Sequence, residues 1–142
     1  MAGSKSDAYE VDLLKAVTGQ ATTLITTTPL AAVWVALFTV APTDSTGGTE
    51  VPAANGYARV DSKGKWAVPT SGAPGSVATN AIVTYAQASA DWAAGANVVA
   101  FAIMTASTAG SMLMWGTLTA SKPVLNGDTP SFASGALILT ED

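Results

Sequence analysis

The fold prediction depends most on residues 115–142, which have the sequence WGTLTASKPVLNGDTPSFASGALILTED. Two short apolar runs flank Asn126-Gly127, a strong hairpin signal because both residues adopt positive φ at little cost. Residues 136–140 then form another short apolar run, which is typical of a strand. Such a strand needs partners from earlier in the chain, so the preceding residues should supply the rest of a sheet.

The composition indicates a small single domain and removes several kinds of chemistry. A chain of 142 residues is long enough for one core and too short for two comfortable ones. It contains no cysteine and no histidine, which excludes disulfides, thiolate metal sites and the commonest general base. Six basic and ten acidic residues give a net charge of −4, which argues against a nucleic-acid partner.

The chain has few charged residues for its apolar content. Hydrophobic residues make up 49% and charged residues 11%, against about 25% charged in a typical soluble domain. We therefore expect apolar surface that a protein partner covers. The longest apolar run, residues 30–41, is too short for the roughly 20 residues of a membrane-spanning helix, and the N-terminus lacks a secretory signal. No membrane partner is expected, and synthesis is expected in a cytosol.

One helix is predicted at the start of the chain. Asp7 and Glu10 have capping-box spacing, and Gly19 is a natural stop. The apolar side chains of this stretch share one helical face: Tyr9, Leu13, Leu14 and Val17. A helix lying on a sheet is the first interpretation, and a partner-binding helix is the alternative.

Short β-strand patterns fill the rest of the sequence. Turn signals separate apolar runs at 32–39, 56–60, 66–68, 80–85, 98–105, 112–119 and 136–140. Residues 98–105 are apolar on both faces and should be central. Pro123 and Pro130 cannot donate ladder hydrogen bonds, so their strands should lie at edges or contain bulges.

These patterns predict an all-β fold, a jelly-roll-like β-sandwich of about eight short strands with one short N-terminal helix. The predicted organisation is one domain over residues 1–142, with a disordered start at 1–5, a helix at 6–19, an extended arm at 20–31 and the sandwich at 32–142.

No catalytic, cofactor or metal site is predicted. The acids away from the chain ends lie in no recognisable motif and are expected to be solvated loop residues: Asp44, Glu50, Asp61, Asp91 and Asp128. Asn126-Gly127-Asp128 could offer oxygens to Ca²⁺ but lacks six ligands, so a turn is favoured. Gly47-Gly48 is followed by no Lys-Ser/Thr and opens no helix, so it is not a phosphate loop.

The four tryptophans admit two interpretations. They could form a sugar-stacking platform, or they could pack in the core, which is favoured more strongly for Trp34 and Trp115 than for Trp66 and Trp92. Lys63 and Lys65 flank a glycine turn and are expected to be solvated, with a salt bridge to a neighbouring subunit as the alternative.

Three segments resemble a family of small structural proteins of tailed bacteriophages. The segments are VWVALFT at 33–39 with GGTEV at 47–51 and GYARV at 56–60, then ADW at 90–92, and WGTLTASK at 115–122 with NGD at 126–128 and the final strand. Their order and spacing cover the chain from about residue 6 onward. The chain departs from the family pattern at residues 98–104, Pro123 and Pro130.

The resemblance implies a virion protein without enzymatic activity, and members are either head decoration (cement) proteins or labelled tail-fibre proteins. The sequence has no repeat and no shaft, which favours a cement protein on the capsid exterior that self-associates as a dimer or trimer and bridges major capsid protein subunits. A tail-fibre component that binds a receptor or glycan is the alternative. The expected contact segments are residues 20–28, 41–55 and 69–75.

Overall fold

The computed structural model describes residues 7–22, 29–43, 45–70 and 75–141. It is an all-β sandwich with one helix, and its elements are α1 (Asp7–Val17), β1 (Trp34–Val40), β2 (Thr49–Glu50), β3 (Val60–Asp61), β4 (Gly75–Ala78), β5 (Val83–Thr84), β6 (Asn97–Met104), β7 (Met112–Pro123), β8 (Ser131–Phe132) and β9 (Ile138–Glu141). Residues 23–28 of the predicted arm and 71–74 of the predicted contact loop lie outside the described residues.

The larger layer is an antiparallel sheet in the order β2-β1-β6-β7. β3 pairs with β1 on the same edge as β2, so the two short strands share that edge between them. β6 lies between β1 and β7, as its two apolar faces predict, because a central strand of a covered sheet is buried on both sides.

The second layer consists of two antiparallel pairs, β4 with β9 and β5 with β8. The main core lies between the layers, where burial of apolar surface supplies most of the driving force for folding. Its fully or almost fully buried members come from both layers: Val33, Val35, Leu37, Val77, Val83, Tyr85, Trp92, Phe101, Ile103, Leu137 and Leu139.

The predicted helix is present and lies on the second layer, in contact with β4 and β9. Leu14 is fully buried in the main core, and Val17 packs against it. Gly19 follows the helix with φ of +72°, a left-handed conformation that glycine adopts without steric cost. The helix therefore covers the sheet, as the first interpretation of its apolar face expected.

The hairpin predicted at Asn126-Gly127 is wrong. The turn itself forms, since the Asp128 N–H donates to the Leu125 carbonyl at 3.0 Å. The strands on either side of it do not pair with each other, because β7 pairs with β6 and β8 pairs with β5. The Asn-Gly signal predicts a reversal of the chain and carries no information about which strand the next segment joins.

After β7 the chain crosses to the second layer and runs antiparallel to the segment that contains β5. The Trp92 N–H donates to the Val124 carbonyl at 2.9 Å, and the Tyr85 N–H donates to the Pro130 carbonyl at 2.9 Å. Val124 is 8% exposed and packs in the main core, so burial of its side chain favours this crossing.

β7 is an edge strand with irregular pairing, as Pro123 predicts. Thr117 pairs with Ala100, whereas Lys122 pairs with Val98, so β7 advances by more residues than β6 between the two pairs. The extra residues form a bulge, which interrupts the exposed edge and protects it from pairing with other chains. The predicted structureless loop at 41–55 is also corrected, since β2 lies within it and pairs with β1.

A strained turn at residues 92–95 gives a first testable prediction. Ala93 and Ala94 have φ of +47° and +53°, a left-handed region that costs a non-glycine residue about 1–2 kcal/mol. Ala94 is exposed, so Ala94→Gly loses no packing and should raise the free energy of urea unfolding by about 0.5–1 kcal/mol. Ala96→Gly, at φ of −65°, is the control and should lower it. Equal losses in both variants would contradict the strain.

Candidate interaction surface

The face of the larger sheet that points away from the main core is apolar. Side chains alternate along a strand, so Val33, Val35 and Leu37 enter the core while their neighbours point outward. We call this surface the outer face, and its residues are Trp34, Ala36 and Phe38 of β1, Ala100, Ala102 and Met104 of β6, and Met112, Trp115 and Thr117 of β7.

The register of the sheet arranges the outer face in three rows across the strands. The first row is Trp34, Met104 and Met112, the second is Ala36, Ala102 and Trp115, and the third is Phe38, Ala100 and Thr117. The first row therefore places two methionines beside an indole, and the second places two alanines beside an indole. In the third row an alanine lies between a phenylalanine ring and a threonine.

Small side chains form the floor of the outer face, and large ones rise around it. Ala36, Ala100 and Ala102 have no exposed surface, whereas Trp115 is 36% exposed and Trp34 is half-buried. None of the nine residues is charged, and two of the rows continue beyond β1 into acids, since Asp61 pairs with Trp34 and Glu50 pairs with Phe38. Five of the nine residues are at most 7% exposed and form a second buried apolar cluster: Ala36, Phe38, Ala100, Ala102 and Met104. The exposed part of the outer face lies on the edge strand β7, at Trp115 and Thr117.

The relative burial of the tryptophans is the reverse of the expected order, in which Trp34 and Trp115 were the stronger candidates for the core. Trp66 and Trp92, the more open candidates for a sugar platform, are 5% and 1% exposed. The Trp66 indole donates to Ser62 Oγ at 3.1 Å, and the Trp92 indole donates to the Asn55 carbonyl at 2.9 Å. Trp34 and Trp115, expected to be the deepest, lie on the outer face. When a strand is apolar on both faces, its sequence does not reveal which face packs against the second layer.

A buried ionic cluster joins the start of the larger sheet to the β6–β7 connection. Arg59 Nε and Nη2 donate to the two oxygens of Glu50 at 2.8 and 2.7 Å, and Arg59 Nη1 donates to the carbonyls of Ala106 and Ala109 at 2.8 and 2.6 Å. Tyr57 Oη donates to Glu50 Oε1 at 2.9 Å. We call Glu50, Tyr57 and Arg59 the clasp.

The clasp supports the sheet that carries the outer face. The Leu37 N–H in β1 donates to Tyr57 Oη at 2.9 Å, so the cluster contacts the backbone of a central strand. Hydrogen bonds to Glu50 raise the pKa of Arg59 above its ordinary value, so the guanidinium stays charged. The sequence interpretation treated Glu50 as a solvated loop acid. The signal available was that Arg59 is the only arginine in the chain.

Alkaline pH should destabilise the fold through two buried phenols. Burial raises the pKa of Tyr57 and of Tyr85 above the ordinary value of 10.0. The unfolded chain ionises these groups near pH 10 while the folded chain keeps them neutral, so stability is complete below pH 10 and falls as pH rises above it. The expected slope is at most about 1.4 kcal/mol per pH unit for each tyrosine.

Urea unfolding between about pH 9 and pH 11.5 measures this slope, because the interval brackets the ordinary pKa of tyrosine. Tyr85→Phe removes one titrating group and should reduce the slope by about half, although it also loses the 3.0 Å hydrogen bond to the Val35 carbonyl. A slope that is unchanged in Tyr85→Phe would contradict the assignment.

Three of the acids expected to be solvated accept hydrogen bonds from backbone amides of turns. Asp61 Oδ1 accepts from the Lys63 N–H at 3.0 Å, Asp91 Oδ1 from the Asn126 N–H at 2.9 Å, and Asp128 Oδ2 from the Leu125 N–H at 3.0 Å. Among the described residues, no group of three or more acidic side chains is placed to hold a metal ion. These carboxylates order turns, and Asp44 lies outside the described residues.

Lys63 also has a structural contact. Its Nζ donates to the Leu30 carbonyl at 2.6 Å, and Gly64 after it has φ of +77°, so the predicted glycine turn is present. The interaction holds the segment that leads into β1 beside the turn that follows β3.

A cleft of about 290 Å³ opens between β7 and β8, where the two layers are not joined by strand pairing. Its apolar wall includes Leu37, Val98 and Phe132, and its charged lining residues are Lys122 and Asp128.

One comparison with known proteins finds a match and a second finds none. A family model described as podophage GP4 fiber I protein gp80 matches residues 4–140, which is nearly the whole sequence. No curated protein matches the sequence. No helix in the described part of the chain has the length and apolar character needed to cross a membrane.

Proposed function

The chain belongs to the family of the podophage GP4 fiber I protein gp80, and we propose that this virion structural protein acts as a head decoration (cement) protein. In this role it bridges neighbouring major capsid protein subunits on the capsid exterior and associates with itself. The observation that carries the proposal is exposed apolar surface on a chain with only 11% charged residues, which suits burial against protein. Four large apolar side chains are more than half exposed: Val40, Val68, Ile82 and Ile138.

Stabilisation by such a protein follows from mass action. A protein that binds the assembled shell and not its separated subunits raises the free energy of disassembly. Many copies with modest individual contacts give a large total effect, because each bound copy holds its neighbours at high effective concentration. A compact domain of this size therefore needs no single tight interface.

The loop between β1 and β2 supplies a second set of contacts in this proposal. In residues 41–48, Thr43 and Thr46 are joined through their hydroxyls at 2.8 Å, and the Thr43 N–H donates to the Thr46 carbonyl at 2.9 Å. Thr43 and residues 45–48 are exposed, and these hydrogen bonds pre-organise them, which lowers the entropy lost on binding. The proposed contacts at 20–28 and 69–75 fall mostly outside the described residues.

A fibre component is the second candidate, and the description of the matching family favours it. In that role the chain is a globular structural subunit of a fibre. Trp66 and Trp92 are enclosed in the core, which argues against receptor binding through an exposed platform of these two rings. Both candidates are architectural and differ in their place on the particle.

Quantitative mass spectrometry of purified virions, together with antibody-labelled electron micrographs, separates the two candidates. The decoration role predicts a copy number close to that of the major capsid protein and label over the whole head. A small number of copies confined to one appendage would overturn decoration in favour of the fibre. Absence from purified virions would overturn both.

A further inference from the structure

Two of the four asparagines in the chain precede a glycine, at Asn55-Gly56 and Asn126-Gly127, and both asparagine side chains are exposed. Asparagine is a thermolabile residue, because its side-chain amide can lose ammonia. A following glycine favours this reaction, since no side chain shields the backbone nitrogen that attacks the amide and the glycine backbone rotates freely. The two dipeptides therefore share the same intrinsic reactivity, and the fold decides which of them reacts.

At Asn126 a single hydrogen bond restrains the reacting groups. The Gly127 N–H donates to the Ala88 carbonyl at 2.8 Å. The Asn126 side chain and backbone carbonyl make no hydrogen bond within the described part of the chain. Release of the bond to Ala88 therefore frees the Gly127 nitrogen to approach the side-chain carbon of Asn126.

Three hydrogen bonds restrain the corresponding groups at Asn55. Its side-chain Nδ2 donates to the Asp91 carbonyl at 2.9 Å, and its backbone carbonyl accepts from the Trp92 indole at 2.9 Å and from the Ser89 N–H at 3.0 Å. The Gly56 nitrogen makes no hydrogen bond to a described residue, so protection comes from the groups on either side of it. Trp92 is 1% exposed, so rotation of this peptide group would break a contact made by the core.

We propose that Asn126 is a site of spontaneous deamidation in the folded protein and that Asn55 is protected from the same reaction. The Gly127 nitrogen loses its proton to hydroxide and forms a bond to Asn126 Cγ. The bond from Cγ to the side-chain nitrogen then breaks, and ammonia leaves with a proton taken from water. Water opens the resulting succinimide ring at either carbonyl and gives aspartate or isoaspartate. The net reaction consumes water and releases ammonia, and it requires no enzyme and no cofactor.

The modification goes beyond the architectural function and changes the segment that carries the chain from β7 to the second layer. A neutral amide becomes an anion, so the net charge changes from −4 to −5. A reciprocal pair of hydrogen bonds holds this turn: the Gly127 N–H donates to the Ala88 carbonyl and the Ala88 N–H donates to the Asp128 carbonyl, both at 2.8 Å. Isoaspartate adds a carbon atom to the backbone and disrupts the pair, so aged protein should lose stability at this crossing.

Incubation of the whole chain at mildly alkaline pH, followed by peptide mapping with mass spectrometry, tests the proposal. Such a pH speeds loss of the amide proton while the fold stays intact. In the folded protein Asn126 should deamidate at least about tenfold faster than Asn55, because two additional hydrogen bonds hold Asn55. In urea the two positions should react at similar rates, since each is an asparagine followed by glycine.

Asp91→Ala and Asp61→Ala compare two carboxylates that order turns. Asp91 Oδ1 accepts from the Asn126 N–H at 2.9 Å, so Asp91→Ala loosens this turn and should speed deamidation at Asn126 by about threefold or more. The variant keeps the backbone carbonyl that holds Asn55, so the reaction there should stay slow. Asp61→Ala removes the acceptor of the Lys63 N–H in another turn and should leave both rates unchanged.

Circular dichroism establishes that each variant is folded, and the comparison of the two positions in the unchanged protein depends on no variant. Equal rates in the folded protein, faster reaction at Asn55, or an Asn126 that stays intact while the unfolded chain converts would each overturn the proposal. An unchanged Asn126 rate in folded Asp91→Ala would show that the turn does not control the reaction. None of these results bears on the place of the protein in the virion, so the architectural function stands or falls separately.

Discussion

Trp92→Ala should destabilise the protein by about 3–5 kcal/mol, the range for removal of a large aromatic side chain from a core. Trp92 is 1% exposed, and its ring meets those of Tyr57 and Tyr85 edge-on at centroid distances of 5.1 and 6.0 Å. Its indole N–H also donates to the Asn55 carbonyl. The variant loses apolar burial, two aromatic contacts and a hydrogen bond together.

Urea unfolding followed by circular dichroism measures the loss. Because domains of this size typically have 5–15 kcal/mol of stability, Trp92→Ala can leave a large unfolded fraction, so Trp92→Phe is needed as an intermediate variant. Trp92→Phe should retain most of the ring packing and lose less. Val68→Ala, at a side chain that is 73% exposed, is the control and should change stability by less than about 1 kcal/mol. Equal effects at the two positions would contradict the assignment of Trp92 to the core.

Breaking the clasp should have the second largest effect. Arg59→Ala removes four hydrogen bonds and leaves Glu50 without its cationic partner. Loss of one member of a buried pair costs about 3–5 kcal/mol, and the 27% exposure of the Glu50 side chain reduces the expected loss to about 2–4 kcal/mol. The β6–β7 connection loses the two hydrogen bonds that the Arg59 side chain donates to the carbonyls of Ala106 and Ala109.

Arg59→Lys separates geometry from charge. A lysine keeps the positive charge but cannot form the planar, two-pronged pair with Glu50, so most of the loss should remain. Lys122→Ala removes an exposed cation and should be close to neutral. Full stability in Arg59→Lys would show that charge alone holds the cluster and would contradict the geometric assignment.

Much of the fold follows from local patterns in the sequence. β6 is predicted as a central strand because its apolar run has no polar face, and the helix is predicted because its apolar residues recur at helical spacing. The pairing of β8 with β5 could not be predicted in this way. The Asn126-Gly127 signal is local, whereas the choice of partner depends on where Val124 finds burial in the assembled core.

The sequence predicts that the protein has an apolar surface for a partner, but it does not predict where on the fold that surface lies. Low charge and high apolar content predict exposed apolar surface, and Trp115 at the edge of the outer face is part of such surface. Its location depends on which face of β1 meets the second layer, and an apolar strand such as Trp34–Val40 does not reveal this. The clasp escaped prediction because Glu50 and Arg59 each look like ordinary surface residues until the fold brings them together.

The pairing of β4 with β9 also has a consequence for folding during synthesis on the ribosome. β4 finds its partner only when residues as far along the chain as Glu141 have been made, and the ribosome adds about 5–20 residues each second. During synthesis the β4 edge and the floor of the core beneath α1 remain open for some seconds. Slower translation lengthens this interval, so the yield of folded protein in the host should depend on whether chaperones shield that edge until β9 arrives.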